Sequence, residues 1–153
     1  MTSSAHTSDI LIELQKLAGF IEPGCEIVPD ESVYFGLRFN VVAPDARFLI
    51  GERGANLAHL EYLAKRIIQK KYSEAPPFSL DVNDYKLRRA EVLRDEVKLI
   101  AKKVRMYRKE IALRPMSSFE RRIIHMALAE YPDIATESTG EGPSRRVTIK
   151  PYP

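Results

Sequence analysis

Two short clusters of residues in this sequence have types and spacings that could bind a phosphate backbone. The first is Gly51-Glu52-Arg53-Gly54, which follows the apolar triplet Phe48-Leu49-Ile50. Glycines have no Cβ atom, so another chain can approach their main chain closely, and the amides that open a following helix offer unpaired donors to an anion. Arg53 adds a mobile cation. The same pattern also fits a break between two helices with glycine C-caps, so it predicts function only in context.

The second cluster is on a predicted helix, where Arg121 and His125 are four residues apart and therefore share one face. Arg122 lies on the adjoining flank. A guanidinium binds phosphate through a planar fork of donors, and an imidazole can hydrogen-bond or stack with a phosphate or a base. An isolated Arg-x-x-x-His pattern is common on helix surfaces, so the alternative interpretation is a pair of surface residues with no binding role.

Catalytic and metal-binding chemistry have little support in the sequence. His6, His59 and His125 fall in a predicted unstructured tail and on two separate helices, and no nucleophile and base or paired carboxylates have an interpretable spacing. The single cysteine, Cys25, cannot form an internal disulfide, and no Cys/His cluster has zinc-ligand spacing. We therefore expect no enzymatic activity, no cofactor and no metal, with a nuclease or hydrolase as the disfavoured alternative. His59 could line a groove beside the glycine loop, but a helix-surface position is the simpler expectation.

The distribution of charge favours a polyanionic partner for the later part of the chain. The net charge is only +3, but residues 1–44 hold two basic and six acidic side chains, whereas residues 45–153 hold twenty-two basic and fifteen acidic ones. The N-terminus has neither a basic start nor an apolar core, and no apolar run approaches the about 18 residues that a membrane span needs. We expect a soluble, cytoplasmic protein with no membrane contact.

The elements that would position the glycine loop are predicted over residues 9–83. Ser8 or Asp9 caps a first helix that ends at Gly19, and strands at 26–28 and 33–42 flank a turn at 29–32. Asp45 is the predicted N-cap of a short helix before Gly51. A final strand spans 78–82. The inward face of the helix after Gly54 is predicted to consist of Leu57, Leu60, Leu63, Ala64, Ile67 and Ile68.

A long basic helix is predicted next, capped by Asn83 and Asp84, running to about Arg108 and linking two halves of the molecule rigidly. Residues 84–110 carry ten basic and five acidic side chains. A solvated face with pairs such as Asp84 with Arg88 explains its first half, whereas a phosphate-facing role is favoured for 102–109, including Lys102. Its predicted inner side is Leu87, Ala90, Leu93, Val97, Ile100, Ala101 and Val104.

The elements that would position Arg121 and His125 follow this long helix. A strand is predicted at 111–113, and Ser117 to Glu120 form a capping box that opens the helix, which Pro132 ends. The predicted inward stripe of this helix is Phe119, Ile123, Met126 and Ala127. Strands at 134–139 and 145–150 form a hairpin that would bring Arg145 and Arg146 back near the helix.

This order of elements resembles two known nucleic-acid-binding modules. Residues 9–83 resemble a bacterial-type KH domain, whose Gly-x-x-Gly loop clamps about four nucleotides, although Glu52 stands where KH loops commonly carry a basic residue. The segments 116–125 and 140–147 are similar to the signature of the Jag proteins, also called KhpB. These bacterial proteins place a KH domain directly before a small single-strand-binding domain named for its spaced Arg and His. The resemblance covers residues 9–150.

The resemblance implies a mixed α/β fold, with both helices and sheets, that is specifically of the α+β type. It implies a KH domain at 9–83 with a mixed three-stranded sheet and packed helices. At 84–150 it implies a small domain with a helix on a three-stranded sheet, which includes the linking helix 84–108. In the KH domain, Ile50, Leu57 and the strand at 78–82 would seat bases. Many family members also carry an N-terminal domain and a charged linker that have no counterpart in this sequence. Roles at the membrane or the cell envelope are therefore not carried over.

The resemblance also implies non-catalytic binding of single-stranded RNA, or of single-stranded DNA, and a post-transcriptional role in cell elongation or division, for example as an RNA chaperone. The implied contact residues are Gly51, Glu52, Arg53, Gly54, Arg121 and His125, with Arg122, Arg145, Arg146 and Lys102 as supporting cations. The implied protein partners are a second, small KH protein in a heterodimer or another copy in a homodimer. A protein-protein adaptor that pairs with another KH protein is the alternative function.

Overall fold

The structure, a computed structural model, describes residues 2–153 and the side chains of residues 6–153. It confirms the predicted α+β class, with two small three-stranded sheets and packed helices. The chain divides into two compact units, with the boundary between Leu87 and Arg88. Each unit contains one of the two sheets and one of the two candidate clusters.

The first unit has a mixed sheet in which the central strand pairs antiparallel with one neighbour and parallel with the other. Its elements are α1 (Thr2–Ile21), β1 (Glu26–Ser32), β2 (Gly36–Val42), α2 (Arg47–Ile50), a 3₁₀ turn (Glu52–Gly54), α3 (Ala55–Lys71) and β3 (Ser79–Val82). The helices α1 and α3 bury one stripe each against Phe39, Val41, Leu80 and Val82 of the sheet. This apolar layer holds the loop between α2 and α3 at the surface.

The predicted boundaries in this unit need three corrections. Helix α1 begins at Thr2, so the predicted tail that contains His6 is helical, because no Gly or Pro interrupts residues 2–18; Met1 lies outside the described residues. Strand β1 runs through the predicted turn at 29–32, since Pro29 lies on an edge strand, where proline is tolerated. In α3, Leu63 is exposed and Ile67 is only half-buried, so the helix buries a narrower face than predicted.

A buried polar network occupies the sheet face opposite the apolar layer. Arg38 of β2 is 4% exposed, and its guanidinium donates to Asp30 at 2.5 Å, to Asp81 at 3.0 Å and to Asp84 at 2.9 Å. These bonds connect the edge strand β1, the strand β3 and the residue that precedes the next helix. Asp84 therefore pairs with Arg38, and the predicted pair of Asp84 with Arg88 is not formed.

The start of α4 (Tyr85–Tyr107) is capped by a residue that the sequence did not indicate. Asp81 is fully buried, and its two carboxylate oxygens accept the main-chain N–H groups of Lys86 at 2.9 Å and Leu87 at 3.1 Å. The predicted caps, Asn83 and Asp84, instead form a left-handed turn with φ of 48° and 57°. Because Asp81 also bonds Arg38, one carboxylate joins the cap of the helix to the network of the sheet.

The second unit places one helix against an antiparallel sheet. Its elements after α4 are β4 (Ile111–Ala112), α5 (Ser118–Leu128), β5 (Ile134–Thr139), a 3₁₀ turn (Gly142–Ser144) and β6 (Arg146–Pro151), with β6 in the centre. Helix α5 ends at Leu128, before the predicted stop at Pro132. Its buried residues are Ile123, Ile124 and Leu128, whereas Met126 is exposed and Phe119 and Ala127 are half-buried. The predicted inward stripe was therefore wrong at Met126, and it missed two of the three buried residues.

In the described part of the chain, no helix is both long enough and apolar enough to cross a membrane.

Candidate nucleic-acid interface

The loop between α2 and α3 has an unusual main-chain conformation that its glycines make possible. Three of its four residues have positive φ: Gly51 at 72°, Arg53 at 52° and Gly54 at 80°. A residue with a Cβ atom rarely adopts this conformation, and glycine does so without a steric penalty. The chain reverses direction here, so that α3 begins at Ala55 directly after the loop with no side chain capping its first turn.

The space beside each glycine is filled by the protein's own side chains, which modifies the sequence-based prediction. A Cβ atom on Gly51 would lie 2.6 Å from Cγ of Asn56, and one on Gly54 would lie 2.9 Å from the ring of Tyr85. Asn56 also donates from Nδ2 to the carbonyl of Phe48 at 2.8 Å, which connects the start of α3 to α2 across the loop. The absence of a Cβ atom at the two glycines therefore makes room for the side chains of Asn56 and Tyr85. The exposed part of the loop consists of Glu52 and Arg53.

A second pair of charges lies just before the loop. Asp45 was predicted as an N-cap. The helix bounds place Ala46 in that position, but the Asp45 carboxylate still accepts the N–H of Arg47 at 3.1 Å, as a capping side chain does, and it also accepts the Arg47 guanidinium at 2.7 Å. The pKa of Asp45 is lowered to about 2, and the largest cause is the hydrogen bonding from the Arg47 side chain. Arg47 is thus neutralised locally, whereas Arg53 has no carboxylate within salt-bridge distance among residues 6–153.

The apolar residues predicted to seat bases beside the loop are mostly core residues. Leu57, Phe78, Leu80 and Val82 are buried in the first unit, and Ile50 is half-buried. The exposed apolar side chain next to the loop is Phe48, at 75%. Consecutive residues of a helix point in different directions, so α2 can bury only one residue of its apolar triplet, and that residue is Leu49. The exposure of Phe48 could therefore have been predicted from the sequence.

The second cluster is positioned by the first turn of α5. The predicted capping box is present: the hydroxyl of Ser117 accepts the N–H of Glu120 at 3.3 Å, and the Glu120 carboxylate accepts the N–H of Ser117 at 3.2 Å. The other carboxylate oxygen accepts two bonds from Arg89 of α4, the shorter at 2.9 Å. Because this turn is fixed at both ends, the direction in which Arg121 leaves the helix is fixed as well.

Arg121 and His125 lie on one face of α5, as predicted, next to β5 and the loop after it. His125 is half-buried, and both of its ring nitrogens are hydrogen-bonded: Nδ1 to the hydroxyl of Thr136 at 2.7 Å and Nε2 to that of Ser138 at 2.9 Å. Arg121 donates from Nε to the carbonyl of Met116 at 3.4 Å, and among residues 6–153 its two terminal nitrogens donate to no other group. Thr136 and Ser138 were missed by sequence reasoning because their role depends on the pairing of distant elements.

The structure brings Arg145 to this cluster but not Arg146. The N–H of Met116 donates to the carbonyl of Arg145 at 3.1 Å, so the loop that contains Arg145 lies beside the residue that bonds Arg121. Arg146 pairs with Thr139 in the sheet, whereas Val147 pairs with Ser138. Since alternate residues of a strand point to opposite faces, Arg146 lies on the face away from His125. The prediction that the hairpin returns both arginines to the helix was wrong for Arg146.

The remaining predicted cations are less closely connected with this cluster. Arg122 is exposed on α5, and Lys102 is exposed on α4. Of the basic run 102–109, Arg105 is engaged inside the second unit, where it pairs with Asp133 at 2.5 Å and lies 4.8 Å above the ring of Tyr131. No group of three His, Cys, Asp or Glu side chains in the described part of the chain could hold a metal ion.

The environment of His125 makes a prediction about its titration. Burial first, and the positive charge of Arg121 second, lower the pKa of His125 from its usual value of 6.5. The unfolded chain therefore binds a proton at a higher pH than the folded chain does. The resulting contribution to the free energy of unfolding is fully present above about pH 6.5 and is lost as the pH falls from 6.5 through the lower pKa of the folded state.

This prediction is checked by following the His125 ring resonances by NMR as a function of pH. We expect a midpoint below that of the same residue measured in the urea-unfolded chain. A midpoint at or above the unfolded value would mean that the ring is neither buried nor close to the Arg121 charge.

Comparison with known proteins first identifies the class of the second unit. Residues 91–151 match the R-3-H domain family, and this segment contains α5, both strands of the hairpin and the cluster around Arg121 and His125.

Relatives over most of the chain then indicate the protein family. The chain is 39% identical over 113 residues to the RNA-binding protein KhpB of Clostridium symbiosum, which covers 74% of this chain and 51% of that protein. It is 33% identical over 138 residues to the RNA-binding protein KhpB of Bacillus subtilis, which covers 89% of this chain and 66% of that protein. These similarities support the KhpB/Jag family for this chain, which spans about half to two thirds of the length of these two relatives.

Proposed function

We propose that this protein is a non-catalytic, single-stranded RNA-binding protein of the KhpB/Jag type, which contacts RNA through two sites. One site is the Gly51 to Gly54 loop, which we assign to a KH domain, and the other is the α5 surface around Arg121 and His125. The observation that carries the proposal is the convergence of Arg121, a fixed His125 ring and the Arg145 loop on one side of a unit that matches the R-3-H domain family. The names of the relatives give RNA as the ligand class.

At the second site, the proposed contact is between Arg121 and a backbone phosphate. Its guanidinium keeps donors free after bonding Met116, and a charged donor forms short, strong hydrogen bonds with a phosphate oxygen. His125 has both nitrogens occupied by Thr136 and Ser138, so its ring face, rather than an unpaired nitrogen, is the part that a base can stack on. Arg145, which also donates to the Gly140 carbonyl at 2.7 Å, adds positive charge beside them.

At the first site, the proposed contact is between phosphate and the uncapped start of α3. The N–H groups of the first turn have no side-chain cap, and the helix dipole places partial positive charge there. Arg53 supplies a full charge, and the exposed ring of Phe48 supplies a surface for a base. Two weak sites on one chain increase the overall affinity for a strand long enough to reach both.

Glu52 gives this site a prediction with a definite sign. Its carboxylate is exposed on the loop and would repel a phosphate bound at α3, so replacing it with a cation should strengthen binding. We expect Glu52→Lys to lower the Kd for a single-stranded oligonucleotide about fivefold to thirtyfold. A pair of unit charges at close range in water interacts by about 1 kcal/mol, and the substitution removes one such repulsion and adds one such attraction. Fluorescence anisotropy with a labelled RNA oligomer measures this change.

The matched control for this variant is Glu74→Lys, an exposed acidic residue in the segment between α3 and β3. It changes the net charge of the protein by the same amount at a different place. If both variants strengthen binding equally, the effect is one of total charge, and the loop is not the site.

The proposed function is tested by comparing single-stranded and duplex RNA of the same sequence. We expect the single strand to bind more tightly, because splayed bases are needed for stacking on Phe48 and His125, and we expect no cleavage of either RNA with or without divalent metal. Equal affinity for both forms would contradict the proposal, and cleavage lost in His125→Ala would replace it with a nuclease.

Further aspects of this proposal come from the family resemblance. We place the protein in the cytoplasm as a post-transcriptional regulator that affects cell elongation or division, with a small KH protein as its partner. An adaptor function without RNA would be favoured if a variant that has lost RNA binding, such as Arg121→Gln combined with Arg53→Gln, fully rescued a deletion strain. We expect this double variant to fail to rescue it.

A further inference from the structure

An exposed apolar stripe runs along α4 within the second unit. Val92, Leu99 and Met106 recur every seven residues and are 49%, 61% and 72% exposed. The other side of the helix is buried, through Ala90, Leu93, Val97, Ala101 and Val104. A seven-residue repeat keeps side chains on one face of a helix, and it is the spacing of one of the two core positions in the seam between paired helices. The proposed RNA contacts do not use this stripe.

The charges beside the stripe change sign at Leu99. Asp95 and Glu96 lie between Val92 and Leu99, and Lys102 and Lys103 lie between Leu99 and Met106; all four are exposed. Asp95 accepts a bond from Arg94 in its own helix at 3.1 Å. Glu96, Lys102 and Lys103 make no ion pair with any residue whose side chain the structure describes. One half of the surface is thus acidic and the other half basic, around an apolar centre.

We infer that α4 of one chain pairs antiparallel with α4 of a second copy, with a two-fold axis at Leu99. Reversal of the helix direction places Val92 next to Met106 of the second copy and Leu99 against the same residue of that copy. It also places Asp95 beside Lys102, and Glu96 beside Lys103, of the second copy. Both contacts occur twice, as a two-fold interface requires.

The charge pattern specifies both the occupant and the direction of the pairing. A parallel pair would place acid beside acid and base beside base, which disfavours that arrangement. A surface that becomes complementary to itself on reversal fits a second copy of the chain, whereas an unrelated partner would have to carry the same reversed pattern. The dimer goes beyond the proposed RNA binding, and it is measured in the absence of RNA, so the two proposals can fail independently.

The first test is the concentration dependence of the mass of the full chain by sedimentation equilibrium, without RNA. The wild-type protein should dimerise reversibly. Leu99→Asp should raise the dimer Kd at least ~100-fold, because it removes the central apolar contact from both copies and places two carboxylates together. Leu99 is largely exposed, so this change leaves the fold of the monomer intact. The matched control is Val33→Asp in the β1–β2 turn, also at an exposed apolar residue, which should not change the Kd.

The second test uses charge reversal to check the charge pairs and crosslinking to determine the direction. The double variant Asp95→Lys with Glu96→Lys has lysine at all four charged positions beside the stripe, and the double variant Lys102→Glu with Lys103→Glu has an acidic residue at all four. Each double variant alone should be monomeric, and an equimolar mixture of the two should dimerise. In a Cys25→Ala background, Val92→Cys should crosslink to Met106→Cys through a short bismaleimide and not to itself. Any one of four results would overturn the inference. They are a wild-type protein that is monomeric at every concentration, a dimer that Leu99→Asp does not weaken, a mixture of the charge-reversed variants that stays monomeric, and a Val92→Cys variant that crosslinks to itself.

Discussion

Replacing Arg121 with Gln should weaken the binding of single-stranded RNA about tenfold to a hundredfold. A hydrogen bond to a charged group contributes about 1.5–3 kcal/mol, and the free donors of Arg121 lie on the same face of α5 as His125. The variant should also reduce the steepness of log K against log salt concentration by about 0.7, the value for one phosphate contact on a single strand. The measurement is fluorescence anisotropy at several salt concentrations.

Arg146→Gln is the matched control for this prediction. It removes the same charge from the same unit, but the strand register places Arg146 on the face of the sheet away from His125. We expect a smaller loss of affinity and little change in salt dependence. If the two variants lose affinity equally, the binding surface does not include α5, and a non-specific basic surface explains the binding. Circular dichroism checks that each variant is folded.

Replacing Asp81 with Asn should destabilise the first unit by about 3–5 kcal/mol, the cost of breaking a buried ion pair from one side. The two oxygens of Asp81 accept bonds from the N–H groups of Lys86 and Leu87 and from the guanidinium of Arg38, and the side chain is fully buried. The amide group of Asn has almost the same shape, but its NH₂ would face two donors. Urea-induced unfolding followed by circular dichroism measures the change.

The control for Asp81→Asn is Asp84→Asn. Asp84 bonds the same guanidinium at 2.9 Å, but its side chain is 45% exposed, and its left-handed main chain suits Asn. An exposed ion pair contributes little, so we expect a loss of about 1 kcal/mol or less. Equal losses in the two variants would mean that burial of Asp81 does not determine its contribution.

The comparison of sequence and structure shows which features depend on local signals. The capping box of Ser117 and Glu120 and the shared face of Arg121 and His125 follow from residue spacing alone, and both were predicted correctly. The cap of α4 was not predicted because the local candidates, Asn83 and Asp84, have the right residue types. Asp81 takes this role because it is buried beside Arg38, 43 residues away in the chain, and no local pattern carries that information.

The candidate site shows the same division. The Gly-x-x-Gly loop could be located from the sequence, but the packing of Asn56 and Tyr85 against its glycines depends on residues outside the motif. The bonds from His125 to Thr136 and Ser138 likewise depend on how β5 lies beside α5. Once the hairpin register is known, the position of Arg146 follows from the period of two along a strand, because adjacent residues such as Arg145 and Arg146 point to opposite faces of the sheet.

The most direct test of the two-site proposal is a titration of the ¹⁵N-labelled protein with a short single-stranded RNA, followed through the amide resonances of both units. The proposal predicts that the largest shifts occur at residues 52–57 in the first unit and around Arg121, Ser138 and Arg145 in the second. Shifts confined to other surfaces, such as α1 and the β1–β2 hairpin or the Arg146 face of the second sheet, would contradict it.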